Sequence, residues 1–315
     1  MRAVLASLVC TLGATATATR TRHPGRYWEG VKTVYAFGDS YTFVQGARGH
    51  ANYSFIGDEL NFSFTKSELL TNTIIPKNTS SGGSGWLEFL TGCYEGSPFL
   101  CKKQLWDFAF AGADIDANLL PLHHDYTISL VRQVEQFLTY AVPVLPKQRS
   151  EKTLIAWWIG INDTNDVINN KTITDWPAFW EAEMDSLFGA VAKVDAAIRP
   201  GAHLFLNVPP GDRAPGSLGN PTSIELHKAR TNEYNAALAS RAAAFQQGTR
   251  SRILQFDAHE WFGWALDNAE SLGFKNVTGF CQCDDFSYFW LNSGHPTEPV
   301  HRYLAEAIDK QLSEL

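Results

Sequence analysis

A serine, a glycine, an asparagine and a histidine of this sequence have residue types that together can carry out acyl transfer. Ser40 follows an apolar run in AFGDSYTF, and Gly112 and Asn162 lie at the ends of two later runs, in FAGAD and IGINDTND. His295 lies in WLNSGHPTEPVH, just before a helical pattern. A serine hydroxyl becomes a strong nucleophile only beside a base such as histidine. Backbone N–H groups and an asparagine amide can donate to the oxyanion that forms when such a serine attacks a carbonyl.

The elements that precede these residues must bring them together. Five continuous apolar runs predict buried strands, because a strand inside a parallel sheet is covered on both faces and does not alternate apolar with polar residues. The runs are TVYAFG (33–38), LWDFAFAG (105–112), TLIAWWIG (153–160), HLFLNVP (203–209) and RILQFDA (252–258). Ser40, Gly112 and Asn162 lie at or just beyond the ends of the first three runs.

Helical patterns alternate with the predicted strands. Apolar residues recur every three or four positions in 125–142, 176–198, 221–245 and 298–312. Strands that alternate with such helices predict an α/β fold, a three-layer α/β/α sandwich around a mainly parallel sheet. The carboxyl ends of the strands meet at one edge of such a sheet, and active sites of α/β proteins lie at that edge. The Gly/Ser-rich stretch 78–86 is predicted to be a surface loop near the mouth of the site.

Residues 1–18 have the features of a secretory signal peptide. Arg2 precedes an apolar segment that ends in small residues, and Ala16-Thr17-Ala18 offers a cleavage site. Residues 19–315 contain no repeat or linker, which predicts a single domain. We therefore expect a secreted, extracellular protein. No later stretch approaches the roughly 20 apolar residues of a transmembrane helix, so we expect no stable membrane insertion.

Cysteine usage indicates an oxidising compartment. Of the five cysteines, Cys10 lies in the predicted leader, and Cys93, Cys101, Cys281 and Cys283 remain. Disulfide bonds are the default for an even number of cysteines in a secreted protein. Three connectivities are possible, and the clustering favours Cys93 with Cys101 and then Cys281 with Cys283. The sequence also contains N-glycosylation sequons at Asn52, Asn61, Asn78, Asn170 and Asn276.

The charge balance argues against nucleic acid and anionic membranes as partners. The formal net charge is −7 at pH 7, and no run rich in Lys and Arg occurs. A metal site is the alternative to disulfide bonds, but no histidine lies at ligand spacing from either cysteine cluster. Neither a metal nor an organic cofactor is implied.

The order of the four chemistry-bearing residues resembles that of the SGNH, or GDSL-type, hydrolases, which are named for a Ser, Gly, Asn and His. The sequence has GDS ending at Ser40, then Gly112, then GIN ending at Asn162, then HPT beginning at His295. FGDSYT, WIGINDTND and FWLNSGHPTEPVH resemble the fungal secreted branch, especially the acetylesterases of carbohydrate esterase family sixteen. The resemblance extends from Lys32 to the C-terminus and implies a flavodoxin-like fold.

The resemblance also implies a role for each residue. Ser40 is the expected nucleophile, and His295 is the expected general base and then acid. The Ser40 N–H, the Gly112 N–H and the Asn162 side chain are the expected oxyanion hole. A glycan on the sequon that begins at Asn162 would block this site, so we expect that sequon to be unused. Asp39 is expected to be structural and to bond the turn around Ser40.

Asn292 departs from the wider superfamily, which has an aspartate three residues before the histidine. An asparagine oxygen can accept the Nδ1–H of His295 but carries no charge that stabilises the imidazolium. We therefore expect either a Ser-His dyad, whose ring is held by Asn292, a backbone carbonyl or another acid, or an impaired enzyme. The asparagine resembles the fungal branch, which favours a working dyad. Asp284 and Asp285 are candidate acids.

These observations predict a secreted serine esterase that removes acetyl groups from plant cell-wall oligosaccharides. A lipase or lysophospholipase would use the same residues with an apolar lid or acyl tunnel, and no long amphipathic lid stands out. A carbohydrate-binding protein that has lost catalysis would explain Asn292, but the intact Ser40, Gly112, Asn162 and His295 argue against it. The candidates for stacking on sugar rings are Trp86, Trp157, Trp158, Trp261, Trp264 and Trp290.

Overall fold

A computed structural model of the chain describes residues 26–44, 70–71, 73–147 and 149–314. The predicted signal peptide and the sequons at Asn52 and Asn61 lie outside the described residues. Within the described ranges, no helix is both long and apolar enough to cross a membrane.

Five parallel strands form the central sheet. They are β1 (Thr33–Gly38), β2 (Gln104–Asp107), β3 (Thr153–Trp158), β4 (Ala202–Leu206) and β5 (Arg252–Phe256). Their order across the sheet is β2-β1-β3-β4-β5, and every neighbouring pair is parallel. The order reverses direction between β1 and β3, and in open α/β sheets such a point is where ligands bind.

The central strands bury side chains on both of their faces, whereas the edge strand β5 buries only one. Val34, Ala36 and Trp158 belong to one apolar core, whereas Phe37 and Trp157 belong to the core on the other face of the sheet. This burial explains why the runs read as continuously apolar. The prediction of a three-layer α/β/α sandwich is confirmed.

Helices form the two outer layers. One layer contains α1 (Arg26–Gly30), α2 (Trp86–Thr91), α7 (Ala258–Asp267) and α8 (Glu298–Ser313). The other contains α3 (Leu130–Gln136), α5 (Trp176–Ile198) and α6 (Pro221–Gln246). A short helix, α4 (Ile161–Asp166), begins just beyond β3.

Several predicted elements end earlier than the apolar patterns suggest. β2 ends at Asp107 instead of Gly112, because the Asp107 side chain accepts the Ala109 N–H and turns the chain. The helical pattern of 125–142 is α-helical over Leu130–Gln136 and continues as a π-helix over Phe137–Ala141. Short helices and the two-stranded sheet of β6 (Asn276–Phe280) and β7 (Tyr288–Trp290) were not predicted.

Two disulfide bonds staple loops of the structure. They join Cys93 to Cys101 and Cys281 to Cys283, the pairing that the clustering favours.

The prediction of a surface loop over 78–86 is wrong for much of that stretch. Ser81, Ser84 and Trp86 are buried, and the Ser81 carbonyl accepts the Glu298 N–H at the start of α8. The stretch therefore anchors the helix that follows His295.

Candidate active site

The turn that carries Ser40 lies where the strand order reverses. Gly38 ends β1 and pairs with Trp158 of β3, and the Asp39 N–H donates to the Trp158 carbonyl at 3.3 Å. A Cβ at Gly38 would collide with that carbonyl, so this crossing requires glycine. Asp39 Oδ1 accepts the Tyr41 N–H at 2.9 Å, and this bond holds the turn around Ser40. The interpretation of Asp39 as a structural residue agrees with this contact.

His295 lies beside Ser40 although 255 positions separate them in the sequence. Its Nε2 lies 2.7 Å from Ser40 Oγ, within hydrogen-bond distance. The loop that positions it runs from β7 to α8. Within that loop, the Leu291 N–H donates to the His295 carbonyl at 2.8 Å, and the Thr297 N–H donates to the Phe289 carbonyl at 2.9 Å.

Asn292 Oδ1 is the partner of the other ring nitrogen of His295. It lies 3.0 Å from Nδ1 and also accepts the backbone N–H groups of Gly294 and His295, at 3.0 and 2.8 Å. These two donors require an oxygen at this position, so the amide oxygen and not the NH₂ faces the imidazole. Nδ1 therefore carries the proton of the neutral ring. Nε2 is left with the lone pair that can accept the Ser40 hydroxyl proton.

Asp284 and Asp285 do not face the imidazole. Both are exposed in the segment between β6 and β7, and Asp285 Oδ1 accepts the Ser287 N–H at 2.9 Å. Of the orienting groups that the sequence left open, the structure therefore brings Asn292 to His295.

The surroundings keep His295 neutral. Burial lowers its pKa to about 4, because a charged imidazolium is poorly solvated there. The Tyr41 ring packs on one side with its centroid 5.4 Å from that of His295, and the Tyr41 hydroxyl donates to the Gly294 carbonyl. At neutral pH this arrangement presents an unprotonated base to the serine hydroxyl.

Gly112 lies in a turn after β2, and Asn162 lies in the first turn of α4. Gly112 has φ +80°, a left-handed conformation that favours glycine. The Asn162 Nδ2 donates one hydrogen to the Ala113 carbonyl at 2.9 Å. This bond joins the Gly112 turn to the start of α4 and leaves the second amide hydrogen for another acceptor. The N–H groups of Ser40 and Gly112 have no hydrogen-bond partner among the described residues.

The backbone that leads into Asn162 also requires glycine. Gly160 has φ +111°, and a Cβ there would collide with the Tyr234 ring. The Tyr234 hydroxyl donates to the Ile159 carbonyl at 2.9 Å. The sequon of Asn162 is folded into this turn, because Thr164 Oγ1 donates to the Gly160 carbonyl at 2.8 Å.

Gln133 is a positioning residue that sequence reasoning missed. Its Oε1 accepts the Gly38 N–H at 3.0 Å, and its Nε2 donates to the Gly38 carbonyl at 2.8 Å and to the Ile128 carbonyl at 3.0 Å. The sequence shows only a glutamine inside a predicted amphipathic helix, which does not indicate that it contacts the site.

Four buried carboxyl groups lie behind the site, and we call them the acid layer: Asp39, Asp114, Asp163 and Glu183. Asp39 directly precedes Ser40, Asp163 directly follows Asn162, and Asp163 Oδ1 accepts the Ile115 N–H at 2.9 Å. Among the described residues, no group of His, Cys, Asp and Glu side chains is arranged to hold a metal ion.

Burial raises the pKa of every member of the acid layer. For Asp39 the pKa rises to about 8, chiefly through burial and further through the charge of Asp163. Burial and the neighbouring carboxylates also raise the pKa of Asp114, Asp163 and Glu183. The acid layer therefore retains protons at neutral pH, because burial and the nearby carboxylates disfavour the charged form of each group.

Most of the candidate sugar-stacking tryptophans are core residues. Trp86, Trp157, Trp158 and Trp290 are each at most 1% exposed, so they cannot stack on a ligand. Trp261 is partly buried, and Trp264 is 49% exposed.

Comparison with known proteins finds similar esterases. No protein-family model matches the chain. An acetylesterase from Thermothelomyces thermophilus is 29% identical over 285 residues, which are 88% of this chain and 87% of that protein. An extracellular lipase structure from Streptomyces rimosus is 14% identical with a TM-score of 0.46, over 90% of this chain and 100% of that one. An acetyl xylan esterase structure from Geobacillus stearothermophilus is 13% identical with a TM-score of 0.46, over 90% and 97%.

The similarity to the acetylesterase runs along most of both chains. It confirms the resemblance that the sequence motifs predict. It also confirms the prediction of an enzyme that acts on ester bonds.

Proposed function

Because the chain is an enzyme that acts on ester bonds and resembles the SGNH hydrolases, we propose that it is an acetylesterase with a Ser40-His295 mechanism. The observation that carries this proposal is the 2.7 Å distance between Ser40 Oγ and His295 Nε2. The neutral partner Asn292 supports it, because its oxygen selects the imidazole tautomer that has a free Nε2. No cofactor enters the mechanism.

In the acylation step, Ser40 Oγ attacks the ester carbonyl while its proton passes to His295 Nε2. The carbonyl oxygen becomes an oxyanion, which accepts hydrogen bonds from the N–H groups of Ser40 and Gly112 and from Asn162 Nδ2. Collapse of the tetrahedral intermediate breaks the bond to the alcohol, which leaves with the proton from His295. The products of this step are an acetylated Ser40 and a free hydroxyl on the former substrate.

In the deacylation step, water attacks the acetyl carbonyl of Ser40 and gives a proton to His295. The same three donors hold the second oxyanion. Collapse of this intermediate releases acetate and returns the proton to Ser40 Oγ. His295 thus acts as base and acid in turn, which requires a ring that is neutral at the start of each step.

The imidazolium that forms in each step faces an amide and not a carboxylate. The Asn292 oxygen still accepts the Nδ1–H and holds the ring, and its dipole supplies part of the stabilisation that a charged partner would supply. The pKa of about 4 makes His295 a weak base, so the oxyanion hole must contribute much of the rate enhancement.

The proposed substrate is an acetylated plant cell-wall oligosaccharide. The acetyl group follows from the relative, which is named an acetylesterase. The sugar follows from the motifs that resemble carbohydrate esterase family sixteen. Secretion is also proposed, and the predicted leader, the sequons and the two disulfide bonds support it.

Three substrates test the proposal when they are compared side by side. Wild-type protein is expected to hydrolyse acetylated xylooligosaccharides and p-nitrophenyl acetate, and to hydrolyse p-nitrophenyl palmitate slowly. Ser40→Ala is the matched negative control. Preference for the palmitate would indicate a lipase, and binding of the oligosaccharide without hydrolysis of any ester would indicate a carbohydrate-binding protein.

A further inference from the structure

His123 lies against the glycine of the proposed oxyanion hole. A Cβ built on Gly112 would be 3.5 Å from His123 Cβ and 3.6 Å from its Cγ and Cδ2. Gly112 thus faces the Cδ2 edge of the imidazole at a distance that a single Cβ would bridge, and Nε2 is the next ring atom beyond Cδ2. No motif in the sequence points to His123, because it belongs to a short polar stretch between two elements.

Asp166 holds the imidazole in this position. Asp166 Oδ2 lies 3.1 Å from His123 Nδ1, and the neighbouring Asn165 amide donates to Asp166 Oδ1 at 3.2 Å. Asp166 lies four positions after Asn162 on α4, so both side chains extend from the same face of the helix. His123 therefore lies near two of the three proposed oxyanion donors. It faces Gly112, and Asp166 links it to the helix that carries Asn162.

The other nitrogen of His123 is available to a ligand. The side chain is 38% exposed, and Nε2 has no hydrogen-bond partner among the described residues. With its Nδ1–H donated to the Asp166 carboxylate, the neutral ring carries a lone pair on Nε2. The rings of His124 and His123 pack edge to face with centroids 5.3 Å apart, and this contact restrains the imidazole further.

A role in stability alone explains this arrangement poorly. A hydrogen-bonded pair of exposed side chains contributes about 1 kcal/mol or less, and this pair lies at the edge of a site and not across a core. A hydrogen-bonding group beside the ester carbonyl can instead distinguish substrates. A site that bonds a substrate hydroxyl favours that substrate over an analogue that lacks the hydroxyl.

We infer that His123 is a specificity-determining residue whose Nε2 hydrogen-bonds to a hydroxyl group of the substrate's alcohol part, with Asp166 as its positioning residue. The inference rests on the proposed function, because it assumes an ester whose alcohol part is rich in hydroxyl groups. It assigns to His123 the recognition of the sugar, and to Ser40 and His295 the chemistry.

Two acetates with different alcohol parts test the inference. Acetylated xylooligosaccharides carry hydroxyl groups, whereas p-nitrophenyl acetate carries none. His123→Ala is expected to lower kcat/KM on the oligosaccharide about three- to tenfold more than on p-nitrophenyl acetate, the size expected for one hydrogen bond. His123→Gln, whose amide keeps a polar group at a similar reach, is expected to restore part of that ratio. Asp166→Ala is expected to lower the ratio less than His123→Ala.

Asp125→Ala, an exposed change in the same stretch, is the control and is expected to leave the ratio unchanged. Equal losses on both acetates in His123→Ala would overturn the role in specificity and leave the esterase intact. A larger gain on p-nitrophenyl butyrate than on the acetate would overturn it in favour of an acyl-size filter. Wild-type protein that hydrolyses p-nitrophenyl acetate but no sugar acetate would reject the proposed substrate, and the role of His123 with it.

Discussion

Two titratable groups lie beside Ser40, the His295 imidazole and the Asp39 carboxyl, and their electrostatic surroundings differ. His295 has a partner on each ring nitrogen, and both partners, Ser40 and Asn292, are neutral. Asp39, one residue before Ser40, belongs to the acid layer, where the charges acting on each carboxyl come from other carboxylates. The base thus lacks an acidic partner, although Asp39 directly precedes the serine that it activates.

The difference shows that a carboxyl group close in sequence to the nucleophile does not necessarily stabilise the charged form of the base. Full burial raises the pKa of Asp39 to about 8, so this group is largely protonated at neutral pH and cannot stabilise an imidazolium by charge. Its contact with the Tyr41 N–H instead holds the Ser40 turn. Asn292 accepts three N–H groups and carries no charge, so it orients His295 without raising its pKa.

The largest expected effect comes from removing the nucleophile or the base. Ser40→Ala and His295→Ala are each expected to lower kcat on p-nitrophenyl acetate by a factor on the order of 10⁴ to 10⁶, because the two groups act as a unit. Thermal unfolding is expected to change little for Ser40→Ala, since a partly exposed hydroxyl contributes little packing. Ser293→Ala, an exposed serine in the same loop as His295, is the control. Turnover like that of the wild type in Ser40→Ala would show that another group is the nucleophile.

The next largest effect is expected at Asn162. Asn162→Ala is expected to lower kcat about 10²- to 10³-fold with little change in KM, because its amide bonds the oxyanion more strongly than the ground-state carbonyl. Asn162→Asp keeps the size and places a carboxyl at the oxyanion, so its loss is expected to exceed that of Asn162→Ala at pH 7. A change confined to KM would make Asn162 a binding residue. Steady-state kinetics on p-nitrophenyl acetate separate the two cases.

A smaller effect is expected at Asn292, where a substitution can test directly whether His295 needs a neutral partner. Asn292→Asp supplies the missing acid, and its carboxylate can accept the same three N–H groups. A negative charge beside His295 favours the imidazolium and raises the pKa above the present value of about 4. The acidic limb of the kcat/KM profile is therefore expected to move to higher pH.

Asn292→Ala separates charge from orientation. It removes one neutral acceptor, so its loss of activity is expected to be about tenfold and far smaller than that of His295→Ala. An acidic limb that stays in place in Asn292→Asp would mean that residue 292 does not contact the imidazole in solution.

The parts of the site that sequence reasoning found are those that lie directly on strand ends. Ser40 and Asn162 follow β1 and β3, and in a parallel sheet the carboxyl ends of adjacent strands must meet. His295 is brought to Ser40 by long-range packing. Its place in a loop just before the last helix made it the best candidate base, and the resemblance to a known family then supported that role. Its local sequence equally fits a helix cap.

Other parts of the site depend on side-chain directions that spacing does not reveal. In the sequence, Gln133 is one polar position in an amphipathic helix. Only the packing of α3 against β1 shows that its side chain hydrogen-bonds to both the N–H and the carbonyl of Gly38. The acid layer was missed for a similar reason. Asp114 and Asp163 lie in polar turns that normally face water, whereas the structure buries both of them.

The smallest effect on activity, and the most direct test of the acid layer, is expected for Glu183→Gln. Burial and the charge of Asp163 raise the pKa of Glu183, so the folded protein keeps a proton that the unfolded chain releases above about pH 4.5. Stability from this group is fully present below that ordinary pKa and is lost as the pH rises toward the folded-state pKa. The slope is about 1.4 kcal/mol per pH unit for each retained proton.

A glutamine at position 183 does not ionise, and it keeps the size and polarity of the glutamate. The unfolding temperature of Glu183→Gln, measured by circular dichroism, is therefore expected to rise relative to that of the wild type between pH 5 and pH 9. Glu225→Gln, an exposed position on α6, is the control and is expected to follow the wild type. Parallel curves for Glu183→Gln and the wild type would mean that Glu183 holds no proton in the folded state. The carboxyl groups of the acid layer would then be ionised, as they are at a protein surface. The proposed difference between the acid layer and the surroundings of His295 would be wrong.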